Sequence, residues 1–227
     1  MSTKIIVSYD GTNNENDAIA YGSLLARAGA EVSLGYVRHT DEAVSDQEAQ
    51  EVVLDRAAAL FAGTFAASHV VTNRSTPEGL RALAEQIGAQ AIVFCSDSHT
   101  AHGHVTIGNS AQRLLDGGRF AIAIASAGLA ERGPQAVHQI AVVEDPSDPS
   151  AGSTAQQLAE AFSANLITAG ESHRADLLVV GSRPEASQGQ VALSAATMNM
   201  IESKVAAVLV LPRGVSLHFG KPVGLSA

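Results

Sequence analysis

The segment CSDSHTAHGHVTIGNSAQRLL, residues 95–115, concentrates side chains that could bind a ligand. It contains three histidines, several hydroxyl groups and a Gly-Asn-Ser step, and it follows the apolar run AIVF, which predicts a buried strand. Hydroxyl and backbone N–H groups beside a helix N-terminus can bind phosphate, whereas clustered imidazoles can bind a metal ion. The segment therefore predicts a phosphate-binding loop, a metal site or a loop that has lost its function.

The three histidines of this segment, His99, His102 and His104, are spaced closely enough to surround a metal ion. A flexible loop does not fix their geometry, and Asp97 is the one carboxylate close by in sequence. We therefore expect no metal site. We expect instead a mobile, solvated loop that closes over a ligand, where a histidine can contact phosphate. Cys95 is interpreted as a partly buried small residue rather than a reactive thiol.

Catalytic signatures are missing from the sequence. It has no Gly-x-Ser-x-Gly elbow, no Walker A sequence and no His-Glu-x-x-His pair. A single strand-end aspartate, Asp10, is not a general base without a substrate placed against it. No catalytic residue is predicted, and a binding protein is favoured over an enzyme.

Composition limits the partners and the location. The chain has 227 residues, a formal charge of −9 and no basic run, so neither nucleic acid nor an anionic membrane is expected as a partner. Hydrophobic residues make up 46% but aromatic residues only 4%, and one cysteine excludes an internal disulfide. The opening residues MSTKIIVSYDG predict a strand rather than a signal peptide. We expect a soluble, cytoplasmic protein.

Short apolar strands alternate with helical patterns along the first part of the chain, which is typical of a doubly wound parallel sheet in an α/β fold. A long helix with Val52, Val53, Ala57, Leu60 and Phe61 on its buried side is predicted over 45–67. The other segments, in chain order, are strands KIIVSY, EVSLGYV, HVVTN, QAIVFC and FAIAIAS and helices ENDAIAYGSLLARAG, STPEGLRALAEQIG and GNSAQRLLDGG.

The pattern then repeats. After the small-residue stretch AGLAERGPQAV, the segment QIAVVEDPSDPSAGSTAQQLAEAF resembles the opening of the chain, and DLLVVGSRP through VLVLP resembles residues 91–126. Cys95 to Ala121 and Gly181 to Ala207 both span 26 residues, whereas Asp10 to Cys95 spans 85 and Asp145 to Gly181 spans 36. The second copy is thus about 49 residues shorter, roughly a strand and one or two helices. We predict a first domain over 1–127, a truncated second domain over 138–213 and a tail over 214–227.

On the strand-end aspartate in SYDGT, the five-strand order and the closing unit of each half, the sequence resembles the universal stress protein family in its tandem form. The resemblance covers nearly the whole chain and implies the adenine nucleotide α-hydrolase-like fold. Family members that bind ATP carry a glycine at the end of the fourth strand, a second glycine after two residues, and Gly-Ser or Gly-Thr nine residues later. Glycines let backbone N–H groups approach the phosphates closely.

This chain departs from that pattern in both halves. In the first half Cys95 and Ser98 replace the two early glycines, and the last step is Gly108-Asn109-Ser110. In the second half Gly181 is kept, but Pro184 has no N–H to donate and Ser194-Ala195 replaces the last glycine. We therefore predict that the second half binds no nucleotide.

The resemblance implies a nucleotide site in the first half, with the adenine base near Asp10 and Val37 and the phosphates on the loop. The cofactor implied is ATP or AMP with Mg²⁺. The local alternatives are that Asp10 is a capping residue at a strand end and that residues 108–110 are a simple helix N-cap. The full set of implied residues is Asp10, Gly11, Val37, Ser96, Ser98, Gly108, Asn109 and Ser110.

Three functions follow from the resemblance. The first is a stress-response regulatory or binding protein that takes an adenine nucleotide. The second is a relative that binds no nucleotide and works as a dimer, and the third is an ATP-using enzyme of the wider superfamily, although DGTNNEN lacks that class's pyrophosphatase loop. The last strands, FAIAIAS and AAVLVLP, are expected to pair with each other or to mediate self-association between chains.

Overall fold

The computed structural model describes residues 2–39, 54–55, 57–61, 65–132, 136–203 and 206–220. Most of the helix predicted over 45–67, including Val52 and Val53, lies outside the described residues. Within it, Leu54 and Ala57 are buried as a helical stripe requires, but Leu60 is exposed, contrary to the prediction. The last three residues of that predicted helix, 65–67, belong instead to a strand, because they pair with the neighbouring strand of the sheet.

Nine strands form one sheet with helices on both faces, which confirms the α/β fold class. The strands are β1 (Lys4–Ser8), β2 (Glu31–Arg38), β3 (Phe65–Thr72), β4 (Ala91–Phe94), β5 (Ala121–Ile124), β6 (Gln139–Val143), β7 (Asn165–Thr168), β8 (Leu177–Val180) and β9 (Ala207–Val210). The helices are α1 (Asn16–Arg27), α2 (Thr76–Ile87), α3 (Asn109–Leu115), α4 (Ser150–Phe162) and α5 (Ala195–Glu202). Short 3₁₀ turns occur at Asn13–Glu15, Ala130–Arg132 and Ala169–Arg174.

The strand order β3-β2-β1-β4-β5-β9-β8-β6-β7 joins the two repeats edge to edge. Among the described strands all pairs are parallel except β5 with β9, so the sheet is parallel within each repeat, as predicted, and antiparallel where the two repeats meet. The central pair of residues is Ala123 opposite Leu209, with Ile122 opposite Val210 and Ile124 opposite Val208 on either side. A local twofold axis through the Ala123–Leu209 pair relates the two halves.

The two repeats correspond residue by residue at a constant offset near this axis. Ala91 pairs with Ala121 as Leu177 pairs with Ala207, and both members of the second pair lie 86 residues after those of the first. The counterpart of β2 is β7, because Val32 and Leu166 pair with the equivalent Ile5 and Ile140. The units β3 and α2 have no counterpart among the described residues; the turn Ala169–Arg174 leads directly from β7 to β8.

The expected pairing of the last strands takes place within the chain. β5 lies between β4 and β9, and β9 lies between β5 and β8, so both edges of each strand are hydrogen-bonded. Self-association between chains through these strands, as predicted, would require this internal pair to separate. The physical reason is that the covalent link keeps the partner strand at high local concentration.

The apolar core runs through both halves on each face of the sheet. One face packs Ile5 and Leu25 in the same cluster as Ile140 and Leu158, and the opposite face packs Ile6 and Leu80 with Leu178 and Val208. Apolar burial is the main stabilising contribution, so the halves share their stability. The predicted domain boundaries remain predictions, since one sheet contains both repeats.

The local signals for α2 lead to the predicted helix. Its Ser75 side chain accepts the Glu78 N–H at 3.4 Å, Pro77 lies in the first turn, and Gly88 ends it in the left-handed region with φ of 69°. A serine cap, an early proline and a terminal glycine are the expected helix boundaries.

Residues 214–220, predicted as part of a tail, pack against both halves. Backbone N–H groups of Leu217 and Phe219 donate to the side chains of Thr154 and Gln157 of α4 at 3.0 and 3.1 Å. The Thr3 N–H donates to the His218 carbonyl at 3.0 Å. Leu217 is fully buried, so this segment contributes to the core and connects α4 to the start of β1. Among the described helices, none is both long and apolar enough to cross a membrane.

Candidate functional site

The turn after β1 is organised by two carboxyl groups. Asp10 Oδ1 accepts the Thr12 N–H at 3.0 Å and so closes a local turn. The N–H groups of Asp10 and Gly11 both donate to Glu15 Oε2, the second at 3.2 Å, and Gly11 has a positive φ of 92° that favours glycine. Asp10 thus closes this turn through its side chain, which stays exposed, and it does not cap α1, where Glu15 is the N-cap residue.

Glu15 is a residue that the sequence reasoning missed. Its side chain is buried, with 8% exposure, and burial together with the nearby Asp10 raises its pKa to about 9, although the two N–H donors oppose this shift. At neutral pH the Glu15 carboxyl is therefore protonated and can also donate a hydrogen bond. The sequence signal that could have identified Glu15 is its position, five residues after the strand-end aspartate Asp10.

Cys95, at the end of β4, is held against the same turn. Asn14 Nδ2 donates to Cys95 Sγ at 3.2 Å and to the Ser96 carbonyl at 3.3 Å. Burial first, and then the charges of Glu15 and Asp10, raise the pKa of the thiol to about 12. The thiol therefore stays protonated near neutral pH, which agrees with a packing role rather than a nucleophilic one.

Ser96 binds other parts of its own chain. It is 2% exposed; its Oγ donates to the Ala125 carbonyl at 2.7 Å and accepts the Thr106 N–H at 3.3 Å. Ser182, 86 residues later, makes the same two contacts, with Leu211 at 2.8 Å and Ala192 at 3.3 Å. The repetition in the second half indicates that this serine fastens the loop to the last strand of each repeat.

The loop after Ser96 is also bonded to the segment that follows β5. The Gly103 N–H donates to the Ala127 carbonyl at 2.7 Å, and the Ala127 N–H donates to the His104 carbonyl at 2.9 Å. These two hydrogen bonds connect the loop to the segment after β5, and its mobility and closure over a ligand stay a prediction. In the same loop, Oγ of the exposed Ser98 lies 3.3 Å from Nδ1 of His99.

Two of the three loop histidines, His99 and His102, contact different carboxyl groups. His99 is 3.4 Å from Asp97, and His102 is 3.7 Å from Glu131, all on the exposed surface. Within the residues that the structure describes, no group of three His, Cys, Asp or Glu side chains could hold a metal ion.

A cavity of about 420 Å³ lies at the carboxyl ends of β1, β4 and β5. Its buried carboxylate, Asp17, accepts the N–H groups of Gly128 and Ala130, each at 2.8 Å, so it is already engaged. Its other ionisable side chains are Asp97, Glu131 and His102, which leaves an acidic surface. The complete lining is Asn14, Asn16, Asp17, Ser96, Asp97, Ser98, Thr100, His102, Ala127, Gly128, Ala130 and Glu131.

The Gly108-Asn109-Ser110 step begins α3 and does not line this cavity. Gly108 has φ of −70° and ψ of 161°, an extended conformation open to any residue, and a Cβ added to it would meet no atom within 4 Å. The glycine is not required by the fold, and the space in front of it is open.

Val37 packs beneath α2. It is buried, and a Cβ added to Gly79 of α2 would lie 2.7 Å from its Cγ1. The implied nucleotide residues thus fall into separate places: the turn after β1, the fastened loop, the start of α3 and the contact with α2. Of the implied nucleotide residues, two line the cavity, Ser96 and Ser98.

In the second half, the positions that correspond to this site are occupied by residues that cap a helix or pack against one. Ser194 Oγ caps α5 by accepting the Thr197 N–H at 3.0 Å. A Cβ added to Gly181 would lie 3.3 Å from Ala151 of α4, which accounts for a small residue there by packing. Glu144 accepts the Gly152 N–H at 2.8 Å at the strand end.

These features, a parallel sheet in each half and an antiparallel junction between the last strands, define the universal stress protein fold. Neither a protein-family model nor a curated protein sequence matches the chain. Solved structures do match, and universal stress proteins are among those that match over nearly the whole chain. The resemblance noted in the sequence is confirmed at the level of the fold.

Three of these structures match over nearly the whole chain. A universal stress protein from Archaeoglobus fulgidus DSM 4304 is 14% identical with a TM-score of 0.66, over 94% of this chain and 100% of that one. A functionally unknown protein from Pseudomonas aeruginosa PAO1 is 12% identical with a TM-score of 0.62, over 94% and 93%. A candidate universal stress protein from Pseudomonas aeruginosa UCBPP-PA14 is 10% identical with a TM-score of 0.60, over 94% of each chain.

Proposed function

We propose that this chain is a universal-stress-type regulatory protein that acts without a bound nucleotide, through the surfaces of its two-half scaffold. The observation that carries the proposal is that backbone N–H groups in the loop at the carboxyl ends of the strands already donate hydrogen bonds within the protein. Six loop residues between 97 and 106 donate their N–H groups within the protein, namely Asp97, His99, Thr100, Gly103, His104 and Thr106. These six N–H groups therefore cannot serve as the donors of a phosphate cradle.

The turn after β1 supports the same conclusion. Glu15 accepts the N–H groups of Asp10 and Gly11, so the chain's own carboxyl takes the N–H donors of this turn. The exposed carboxylates of Asp97 and Glu131 add negative charge to the lining of the cavity. Nucleotide phosphates are anionic, and like charges at short range repel each other in a partly dehydrated site.

The test is calorimetric titration of ATP with Mg²⁺, and separately of AMP, into the wild type and Gly108→Val. We expect no binding heat from either protein. The valine variant is a matched comparison because a Cβ at this position meets no atom within 4 Å and the backbone is extended, so we expect the variant to fold. Binding to the wild type that weakens in Gly108→Val would contradict the proposal.

The second candidate function is adenine nucleotide binding in the first half, with ATP or AMP and Mg²⁺. The observation that favours it is the open space before Gly108, next to the exposed Asn109. In this case Asp10 and Val37 would flank the base, and the phosphates would contact Ser98, Gly108, Asn109 and Ser110. Nucleotide released from the purified protein on denaturation, detected by ultraviolet absorbance and mass spectrometry, would favour this candidate over the first.

Under either candidate we propose that the second half binds no nucleotide. Pro184 has no N–H to donate, and Ser194 uses its hydroxyl group to cap α5. A structure solved with ATP or AMP that holds the ligand against residues 181–195 would contradict this proposal.

A further inference from the structure

The segment 214–220, called the strap below, lies between helix α4 and the residues that surround the start of β1. It is bonded to the side chains of α4 on one side and to Thr3, the residue before β1, on the other. Gly29, just after α1, also borders it, because a Cβ added there would lie 2.5 Å from the Gly220 carbonyl oxygen. The surface formed by α4, Thr3 and Gly29 is called the strap groove.

The backbone of the strap is bound by side chains of the groove. Three successive N–H groups donate to side-chain oxygens: Leu217 to Thr154 at 3.0 Å, His218 to Thr3 at 2.8 Å and Phe219 to Gln157 at 3.1 Å. Most hydrogen bonds in proteins join backbone to backbone, so three consecutive side-chain acceptors are unusual. These bonds require only a peptide backbone, and any extended segment in the same place can make them.

The side chains of the strap alternate between the groove and the solvent. Leu217 is completely buried and Phe219 is 8% exposed, whereas His218 between them is exposed. This alternation is that of an extended chain. Leu217 and Phe219 lie in the same apolar cluster as Leu25 of α1 and Leu158 of α4. In peptide recognition, backbone bonds provide affinity and pockets for alternate side chains provide specificity, and the strap groove has both.

The internal repeat shows that the strap is attached differently from its counterpart. Gly214 begins the strap 86 residues after Gly128, and both glycines have a positive φ, 68° and 75°. The segment after Gly128 continues covalently into β6 at Gln139. The strap reaches the start of β1 only through hydrogen bonds, among them that of the Thr3 N–H to the His218 carbonyl at 3.0 Å. It can therefore leave the groove while the strand pairing of the sheet stays intact.

We propose that the strap groove is a docking site for an extended segment of a partner protein, with an apolar residue and an aromatic residue two positions apart. The strap occupies this site in the free protein and competes with the partner, so the contact is autoinhibitory. A tethered segment has an effective concentration in the millimolar range, which keeps weak ligands out until the strap is released. The groove lies at the start of β1, away from the carboxyl ends of the strands, so the proposal does not depend on whether a nucleotide binds.

The test uses a fluorescent peptide with the strap's own sequence, RGVSLHFG (residues 213–220), added to the full-length chain and followed by fluorescence anisotropy. Phe219→Ala weakens the strap's hold and raises the fraction of molecules with an open groove. We expect the peptide to bind this variant at least about tenfold more tightly than the wild type. His218→Ala is the matched control: its side chain is exposed, so it should bind the peptide as weakly as the wild type. Circular dichroism checks that each variant is folded.

Two further changes test where and how the peptide binds. Adding Gln157→Ala to Phe219→Ala removes the acceptor of one backbone N–H and should weaken peptide binding. A peptide carrying both Leu217→Ala and Phe219→Ala should not bind. A folded Phe219→Ala variant that binds the peptide no better than the wild type, or that binds the alanine peptide equally well, would overturn the proposal.

Hydrogen exchange of the wild type tests release of the strap without any substitution. The amides of Leu217 and Phe219 should exchange together and at least about tenfold faster than the Leu211 amide, which is bonded to the Val180 carbonyl in the sheet. Such a difference shows that the strap opens while the sheet stays folded. Exchange of all three amides at the same rate would mean that the strap leaves only on global unfolding, and the groove would then not be available to a partner.

Discussion

Carboxyl groups near the strand ends of this protein accept backbone N–H groups, some from the same turn and some from distant parts of the chain. Glu15 accepts from Asp10 and Gly11, and Asp17 accepts from Gly128 and Ala130 after β5. In the second half Asp148 accepts the Gly214 N–H at 2.8 Å, at the equivalent place after β9. Residues that the resemblance marks as a ligand site therefore belong to a region whose donors already have internal acceptors.

Glu15→Gln should stabilise the protein above about pH 5. Glutamine keeps an oxygen that can accept the Asp10 and Gly11 N–H groups and offers a donor to the Asp10 carboxylate, as the protonated acid does. Because the folded-state pKa of Glu15 is raised from 4.5 to about 9, the wild type loses stability as the pH rises through this window, and the variant does not. We expect a gain of at least about 1 kcal/mol at pH 8, measured by urea unfolding between pH 5 and 9.

Glu15→Ala is the control for that measurement, because it removes both the acceptor and the titrating group. It should destabilise the protein near pH 5, where the wild-type carboxyl is protonated, and should lack the wild-type loss of stability between pH 5 and 9. If Glu15→Gln and the wild type had the same pH dependence, the raised pKa would be contradicted.

At the scale of elements, each repeat fastens its last loop to its last strand with one buried serine. Ser96 joins Thr106 to Ala125, and Ser182 joins Ala192 to Leu211. A hydroxyl group that both donates and accepts satisfies two buried backbone groups at once. The loop that seemed suited to phosphate thus has a structural counterpart in the half that lacks the nucleotide glycines.

Ser96→Ala and Ser182→Ala should therefore destabilise the protein by similar amounts. Each leaves one buried N–H and one buried carbonyl without a partner, at a cost of about 1–3 kcal/mol. The measurement is the free energy of unfolding in urea. Ser98→Ala, at an exposed position in the same loop, is the control and should change it by less than about 0.5 kcal/mol. An unchanged stability in Ser96→Ala would show that its hydroxyl is free to bind a ligand.

At the scale of the whole molecule, the two repeats are joined by one sheet, two shared core layers and the segment 214–220. The central antiparallel pair, β5 with β9, buries Ala123 and Leu209 completely. Both core layers contain residues of both halves, so neither half has a separate interior. The sheet thus makes a single chain resemble a dimer of two units.

Leu209→Ala should lower the stability of both halves together. The side chain is fully buried at the twofold axis, and removing it should cost about 2–5 kcal/mol. Calorimetry and circular dichroism should both report a single unfolding transition at a lower temperature. Two separated transitions in the variant or the wild type would mean that the halves unfold independently. Leu166→Ala, at an exposed position, is the control.

Much of the fold could be predicted from local patterns. The apolar runs at β1, β4 and β5 and the capped helix α2 were identified because period, length and boundary residues agree. The duplication was visible because the spacing of 26 residues is the same in both copies. The start of β3 was misread as the end of a helix, since residues 65–67 are small or aromatic and take their conformation from pairing with β2.

The sequence by itself determined the strand–helix alternation, the repeat, its shortening and the loss of the nucleotide glycines, because each depends on residue types and spacing along the chain. Only the tertiary structure decided that the last strands pair antiparallel inside the chain and that Glu15 accepts the N–H groups of the strand-end turn. It also decided that β7 has no outer neighbour among the described strands. Hydrogen bonds between distant segments and the burial of Glu15 depend on which surfaces meet in space. That arrangement follows from the packing of all the elements together, which no local pattern contains.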